Sequence, residues 1–206
     1  MLLYLSSKKF GNDIKILKDW INKHDNKIVI IPNALDAKSK EKIQENLKED
    51  IELLANIGFN VKIIDLKNYF SKYNELKKEL LEYNACCVMG GNVFVLRKAM
   101  ELSGFDIFLK EKKVSDNYLY IGYSAGSCVL SQNLEPLNIV DEPIIFYDEQ
   151  KVNYNGLGFI NYTIIPHYKS MYHKANLIDD VVKKCENENI KYKAIKDGEV
   201  LIIQIE

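Results

Sequence analysis

The chain has little of what builds disulfide frameworks or interdomain linkers. Among 206 residues there are four cysteines, four prolines and a single tryptophan. The cysteines, at positions 86, 87, 128 and 185, form no C-x-x-C pair and lack metal-ligand spacing, so we expect reduced, structural thiols. No repeat, low-complexity tract or linker interrupts the sequence. Its length suits one domain with a substantial core, and a single domain over residues 1–206 is predicted.

Neither sign of charge is in excess, and long apolar runs are missing. Lys plus Arg number 28 and Asp plus Glu 29, which gives no reason to expect a nucleic acid or an anionic membrane as a partner. Residues 1–5 are apolar, but the run is too short, and lacks the basic leader, for a signal peptide or a membrane span. A cytoplasmic protein is therefore expected.

What the chain does contain is a regular alternation of two patterns. Short apolar runs bounded by turn residues predict strands at 2–5, 27–31, 61–66 and 85–89. Apolar residues spaced three and four apart predict amphipathic helices at 13–24, 38–57, 71–83 and 93–102. Continuous apolar runs such as 27–31 are typical of parallel strands buried on both faces.

The segment 118–127 combines an apolar run with the motif Gly-x-Ser-x-Gly. Gly122 and Gly126 flank Ser124 where a very tight strand-to-helix turn has no room for larger side chains. Such a turn would present the Ser124 hydroxyl beside a helix N-terminus, where the N–H of Ala125 could help to stabilise an oxyanion. Ser124 is the predicted nucleophile of an acyl transfer, and an ordinary βα loop is the alternative reading of the motif alone.

A second special loop follows the strand predicted at 85–89. Its residues are Gly90, Gly91 and Asn92, and paired glycines let a backbone come close to a ligand. An N–H group exposed there could complete an oxyanion hole with Ala125. A plain βα turn with Asn92 capping the next helix fits the same residues nearly as well.

The chain has three histidines, and only His167 directly follows an apolar strand, predicted at 163–166. That position makes His167 the candidate general base. His173 stands near the start of a helix predicted at 172–188 and could line the same cleft.

The pattern becomes less regular after Ser124. A short helix, an irregular stretch at 130–140, a strand at 144–146 and a loop at 154–159 are predicted. The chain then closes with a hairpin of strands 192–195 and 199–205, with Asp197-Gly198 as its turn.

These special positions follow one another in a characteristic order. Gly90-Gly91-Asn92 comes first, then the Ser124 motif, then Pro166-His167, then Asp197-Gly198 before the last strand. In this order the chain resembles the peptidase E (aspartyl dipeptidase) family of serine peptidases, which includes cyanophycinase, over most of its length. The resemblance implies an α/β fold: a three-layer α/β/α sandwich with a mostly parallel central sheet, of the class I glutamine amidotransferase-like, flavodoxin-like type.

The resemblance also implies roles for the residues. Ser124 would be the nucleophile and His167 the base, acting on a short peptide without a metal or organic cofactor. The third member of the triad would be a carboxylate, for which the sequence leaves Asp197 and Asp141, with Asp197 favoured. The oxyanion and the substrate would be bound by Gly91, Ala125 and Asn92.

The substrate preference is left open by a missing residue. The family resemblance leads us to expect an arginine after the Pro-His pair, to receive an N-terminal Asp side chain. Residues 168–179 include lysines and His173 but no arginine, and Arg97 lies elsewhere. A peptidase or related amide hydrolase of different preference is the alternative to an Asp-X dipeptidase.

Three other functions compete with a peptidase. An α/β-hydrolase esterase uses the same serine turn, a glutamine amidotransferase would need a cysteine in its place, and a non-catalytic relative could bind a small molecule. Several tyrosines suit a substrate cleft or a homodimer contact, or are scattered over the surface: Tyr147, Tyr154, Tyr162, Tyr168 and Tyr172.

Overall fold

The computed structural model describes residues 1–115, 117–144, 146–147, 151–171 and 174–205. Its centre is a six-stranded sheet in which five neighbouring strands are parallel and the last is antiparallel. In spatial order the strands are β3 (Asn60–Ile63), β2 (Lys27–Ile31), β4 (Ala85–Val88), β5 (Leu119–Tyr123), β1 (Leu2–Ser6) and β8 (Val200–Gln204). A second, two-stranded parallel sheet contains β6 (Thr163–Ile165) and β7 (Tyr192–Ala194).

Helices cover both faces of the central sheet. One face packs against α1 (Lys15–Lys23) and α2 (Lys40–Ile57). The core on the other face contains residues of α3 (Tyr73–Leu80), α4 (Val93–Ser103), α5 (Phe105–Lys112) and α6 (Ala125–Cys128), and of α7 (Ala175–Asn187), which packs against the small sheet. Alternate residues of a strand point to opposite faces, so Ile28 and Ile30 enter the first core while Val29 and Ile31 enter the second. The predicted three-layer sandwich is confirmed.

The ends of the helices follow the sequence signals. The Ser39 side chain accepts a hydrogen bond from the Lys42 N–H at the start of α2, and Gly58 ends that helix with a φ of 122°. Asn92 caps α4, and Gly104, with a φ of 78°, separates α4 from α5. No helix within the described ranges is both long and apolar enough to span a membrane.

The predicted closing hairpin is wrong. Residues 197–198 do form a turn, but β7 pairs in parallel with β6, whereas β8 pairs antiparallel with β1 in the central sheet. The physical reason is that β1 pairs with β5 along one edge only. Its other edge has unpaired backbone groups, and β8 supplies their hydrogen-bond partners.

Several boundaries also differ from the prediction. The strand predicted at 61–66 covers Asn60–Ile63 and is followed by a 3-10 turn at Leu66–Tyr69. The irregular stretch contains another 3-10 turn, at Glu135–Ile139. Helix α5 was not predicted. No strand forms at 144 or 146, and residue 145 of that predicted strand lies outside the described residues, as do 172 and 173 of the helix that is seen to begin at Ala175.

The topology brings particular loops together at one edge of the sheet. The strands β4, β5 and β1 are parallel neighbours, so their carboxyl ends meet. Ser124 and Ser7 directly follow β5 and β1, and Gly90 lies two residues after the end of β4. In the small sheet, β6 and β7 are parallel, and His167 and Asp197 lie in the loops that follow their carboxyl ends. All of the predicted special loops after strands therefore converge.

Candidate active site

Ser124 stands at a strained turn between β5 and α6. Its φ is 49° and its ψ is −117°, a conformation that non-glycine residues rarely adopt. The Ser124 N–H donates to the Ser6 carbonyl at 3.1 Å. A Cβ atom on Gly126 would lie 2.1 Å from the Val88 carbonyl oxygen, and one on Gly122 would lie 2.5 Å from the Gly126 carbonyl oxygen. The sequence reasoning for small residues on both sides of Ser124 thus has a steric basis.

The His167 ring lies between Ser124 and Asp197. Its Nε2 atom is 3.3 Å from the Ser124 Oγ, and its Nδ1 atom is 2.7 Å from the Asp197 Oδ1. An ionised carboxylate can only accept, so Nδ1 carries the proton and Nε2 can accept from the serine hydroxyl. His167 is buried and, like Ser124, has a positive φ, of 62°. This arrangement can take a proton from a serine that attacks a carbonyl.

Two backbone N–H groups border the serine from different loops. Ala125 follows it directly at the start of α6, and Gly91 lies with Ser124 in the wall of one cleft, described below. Within the described part of the chain, neither N–H donates to another residue. Gly91 has a φ of 153°, and a Cβ there would lie 2.2 Å from the Ala34 carbonyl oxygen. Position 91 therefore requires glycine because of its close approach to the Ala34 backbone, whereas the sequence led us to expect a close approach to a ligand.

The Asn92 side chain makes hydrogen bonds with its own helix and with a neighbouring loop. Its Oδ1 accepts from the N–H groups of Phe94 and Val95, and its Nδ2 donates to the Glu142 carbonyl at 2.8 Å. The capping interaction expected as the alternative reading is present. Because its Nδ2 binds the Glu142 carbonyl, the Asn92 side chain connects the Gly90–Gly91 loop to the segment that carries Glu142. Asn92 also borders the cleft.

Asp141 borders the cleft from another direction. Its Oδ2 accepts from the Val93 N–H at 2.8 Å, at the N-terminus of α4. Burial raises the pKa of this carboxyl to about 6, against the opposing effects of the Val93 N–H, Lys174 and Lys38. The structure thus brings Asp141 near Ser124 but pairs the imidazole with Asp197.

The cleft has a volume of about 440 Å³. Besides the residues already described, its lining includes Lys8, Lys9, Leu35, Lys38, Asn46, Tyr123, Ile144 and Lys174. Tyr123 lines it, but none of the four described tyrosines singled out in the sequence does so. Of that group, Tyr147 packs against Phe70 and Tyr154 against Phe94, while Tyr172 and the candidate cleft residue His173 lie outside the described residues.

Sequence reasoning missed the serines that surround the imidazole–carboxylate pair. The Ser7 hydroxyl donates to Asp197 Oδ1 and accepts from the His167 N–H, both at 2.7 Å. The Ser170 Oγ accepts from the Asp197 N–H at 2.8 Å. Neither serine belongs to a motif, and only the convergence of three loops gives them these contacts.

An α/β sandwich that holds a strained serine against an imidazole–carboxylate pair has the architecture of a serine hydrolase. The family model described as "Peptidase family S51" matches residues 2–206. The chain therefore belongs to peptidase family S51. This confirms the resemblance predicted from the sequence, and the family, described as one of peptidases, agrees with the predicted class of enzyme, a serine-type peptidase.

Curated relatives agree with the family. An uncharacterized peptidase of Listeria innocua is 29% identical over 119 residues, which cover 58% of this chain and 54% of the relative. A protein named peptidase E from Nostoc sp. is 29% identical over 175 residues, covering 82% of this chain and 65% of the relative. Across the three curated relatives matched, the chain spans 54 to 66% of their length.

Solved structures share the fold. A protein of Listeria monocytogenes EGD-e described as a candidate peptidase E superposes with a TM-score of 0.76 at 20% identity, covering 100% of this chain and 98% of that one. A peptidase from an acI-B1 Actinobacterium gives a TM-score of 0.71 at 15% identity, covering 98% of this chain and 83% of the other. The chain therefore shares its fold with these two structures.

Proposed function

We propose that this chain is a serine peptidase that hydrolyses short peptides through an acyl-enzyme, with Ser124, His167 and Asp197 as its triad. The observation that carries the proposal is the position of the His167 ring, 3.3 Å from the Ser124 Oγ on one side and 2.7 Å from Asp197 Oδ1 on the other. The first distance is long for a hydrogen bond between these atoms, and catalytic hydrogen bonds of this kind tighten when a substrate binds.

The chemistry follows from these contacts. Ser124 Oγ attacks the peptide carbonyl carbon while its proton passes to His167 Nε2. Asp197 holds the ring in the required tautomer and stabilises the imidazolium that forms. His167 then gives the proton to the leaving amine. A water molecule, activated by the same ring, hydrolyses the ester and regenerates the serine.

The oxyanion is assigned to the N–H groups of Gly91 and Ala125. Both belong to loops at the cleft, and neither is engaged by another described residue. Donors fixed by the backbone need no reorganisation when negative charge develops on the carbonyl oxygen. Asn92 contributes by holding the Gly91 loop rather than by donating to substrate, since its Nδ2 is directed to Glu142.

Cys128 offers no competing nucleophile. Its thiol is buried, and burial raises its pKa well above the usual value. A thiol held neutral in this way reacts poorly, because the thiolate is the attacking species. Serine chemistry is therefore favoured over the cysteine chemistry of the amidotransferase alternative.

The first experiment measures release of amino acids from a panel of short peptides. We expect Ser124→Ala to lower kcat by about a thousandfold or more. Ser103→Ala is the matched control, because Ser103 is also buried but its hydroxyl donates only within α4. A Ser124→Ala variant whose kcat stays within about tenfold of wild type would refute the proposal.

A pair of variants distinguishes the two carboxylates. Asp197→Asn replaces the carboxylate by an amide whose NH2 can donate to His167 Nδ1 and hold the ring in the wrong tautomer, and we expect kcat to fall by about a thousandfold. Asp141→Asn keeps an oxygen for the Val93 N–H and leaves the imidazole partner intact, so we expect a much smaller change. The reverse ranking would assign the triad role to Asp141.

For specificity we propose that lysines replace the missing arginine. Arg97, the only arginine, is buried and binds Asp106 and the Asn155 carbonyl. Lys38 and Lys174 line the cleft instead. Peptides with N-terminal Asp should then be cleaved faster than those with N-terminal Ala, and Lys174→Met or Lys38→Met should raise KM for the Asp peptide alone. Equal cleavage of both peptides by the intact protein would contradict this preference.

A further inference from the structure

Ser7 is a buried serine at the end of β1 whose hydroxyl has two partners. It donates to Asp197 Oδ1 at 2.7 Å and accepts from the His167 backbone N–H at 2.7 Å. Ser7 is 0% exposed. A hydroxyl has a single proton to donate, and here it is directed to the same carboxylate oxygen that accepts from the imidazole.

The contacts of Ser7 differ from those of an ordinary buried serine. Ser103, for comparison, donates to carbonyl oxygens of its own helix. Ser7 instead joins two segments that lie 160 and 190 residues away in sequence. It restrains the side chain of Asp197, whose backbone N–H is held separately by Ser170.

The neighbouring residue extends this connection to the nucleophile. The Ser6 carbonyl accepts from the Ser124 N–H at 3.1 Å and from the Ser127 hydroxyl at 2.9 Å. The dipeptide Ser6–Ser7 therefore contacts the serine turn, the histidine backbone and the carboxylate. A shift of this segment would change the geometry of all three groups together.

We propose that Ser7 is a positioning residue, which fixes the rotamer of Asp197 and the backbone of His167 so that the ring faces Ser124. The inference rests on the proposed serine peptidase function and extends it to a fourth side chain. With the hydroxyl removed, Asp197 Oδ1 loses one donor and the carboxylate is free to turn away from the imidazole. Ser7 lines the cleft but is 0% exposed and has its hydroxyl directed to Asp197, so we expect its loss to act on kcat rather than on KM.

The test uses Ser7→Ala and Ser7→Cys in the full chain. Hydrogen bonds to charged groups are strong ones, and we expect Ser7→Ala to lower kcat by about tenfold to a hundredfold with KM unchanged. Ser7→Cys keeps a weak donor of similar size and should fall between wild type and Ser7→Ala. Ser103→Ala, a buried serine without contact to the triad, should keep wild-type kinetics.

A second readout does not depend on turnover. The His167 Nδ1 proton, hydrogen-bonded to Asp197, should give a proton NMR signal far downfield of the amides, absent in Asp197→Asn. In Ser7→Ala we expect this signal to shift or to broaden. In Ser103→Ala the signal should keep its wild-type position and width.

The two readouts separate the possible failures. If no peptide is cleaved by the intact protein, the proposed function fails, and the NMR signal still decides whether Ser7 positions the pair. Wild-type kcat together with an unchanged signal in Ser7→Ala would overturn the inference. A rise in KM of Ser7→Ala, with kcat and the His167 Nδ1 proton signal unchanged, would overturn the inference as well.

Discussion

Ser124 and His167 have positive φ angles, 49° and 62°, although neither is glycine. Such conformations cost about 1–3 kcal/mol each and persist only where surrounding contacts over-determine them. For Ser124 those contacts are the Ser6 carbonyl and the steric fit of Gly122 and Gly126, and for His167 they include the Ser7 hydroxyl. Strain at the two residues proposed to exchange a proton is consistent with a preorganised site.

Gly126→Ala should damage both the stability and the site. Its Cβ would lie 2.1 Å from the Val88 carbonyl, a backbone atom that cannot move without displacing β4. We expect the free energy of unfolding to fall by about 2–4 kcal/mol, with loss of peptide hydrolysis. Gly158→Ala is the control, because a Cβ there meets nothing within 4 Å, although its φ of 68° adds strain. Denaturant unfolding of both variants measures the difference, and a Gly126→Ala protein no less stable than Gly158→Ala would contradict the steric argument.

Asp141 should make stability depend on pH. Burial raises its pKa to about 6, whereas an unfolded Asp titrates near about 4. Between these values the folded chain binds the proton more tightly, so the contribution of this group to the free energy of unfolding falls as the pH rises and stays low above about pH 6. Asp141→Asn should therefore stabilise the protein by about 2 kcal/mol at pH 8, discounted for partial exposure, and by little at pH 4.

The comparison needs a matched acidic neighbour. Glu142 is exposed, and Glu142→Gln should change the free energy of unfolding by a similar small amount at both pH values. Urea titrations of the three proteins at pH 4 and pH 8 provide the measurement. An Asp141→Asn effect that is equal at both pH values would show that burial of this carboxyl costs nothing.

At the scale of elements, one polar cluster ties the loop that follows Asp141 to the central sheet. The Tyr147 hydroxyl donates to Asp36, which also accepts from Asn33 and Lys67. Asn33 in turn binds Asp65. The Tyr147 ring packs edge-on against Phe70 at 5.0 Å. The cluster thus joins the turns after β2 and β3 to the segment that forms a wall of the cleft.

Tyr147→Phe keeps the ring contacts and removes the hydroxyl from this cluster. We expect the free energy of unfolding to fall by about 1–2 kcal/mol, since the hydroxyl donates to a carboxylate. The loop should also be cut faster by a protease under native conditions, because its attachment to Asp36 is lost. Tyr154→Phe, at a ring that is 37% exposed, is the control. Equal proteolysis of the two variants would argue against the attachment.

For the whole molecule, much of the sandwich could be predicted because its central strands are buried on both faces and appear in the sequence as continuous apolar runs, as at residues 28–31. The wrong hairpin shows the limit: a pattern gives the position of β7 and β8 but not the strand with which each pairs. The residues proposed for the site were found where a motif marks them, as at Ser124. Ser7 was not predicted, because its proposed role depends on contacts between segments far apart in the sequence. The choice between Asp197 and Asp141 likewise needed the contact between Asp197 and the His167 ring.

The predicted single domain should unfold as one cooperative unit. The rates at which its cysteine thiols react with a reagent can measure this unfolding. All four are free and buried, and burial raises the pKa of each thiol, to about 12 for Cys86 and about 11 for Cys185. Cys87 lies in the core beneath α1 and α2, whereas Cys86, Cys128 and Cys185 lie in the core on the opposite face. Native thiols should therefore react slowly with a thiol reagent, and only after opening of the fold.

If both cores unfold together, the labelling rates of Cys87 and Cys185 should rise with the same dependence on urea concentration, equal to that of global unfolding. Mass spectrometry of peptides from partly labelled protein measures the two rates separately. The Cys87→Ala variant supplies the control for assignment. Labelling of Cys185 at urea concentrations where Cys87 is still protected would mean that α7 and the small sheet open independently, and would divide the chain into two units.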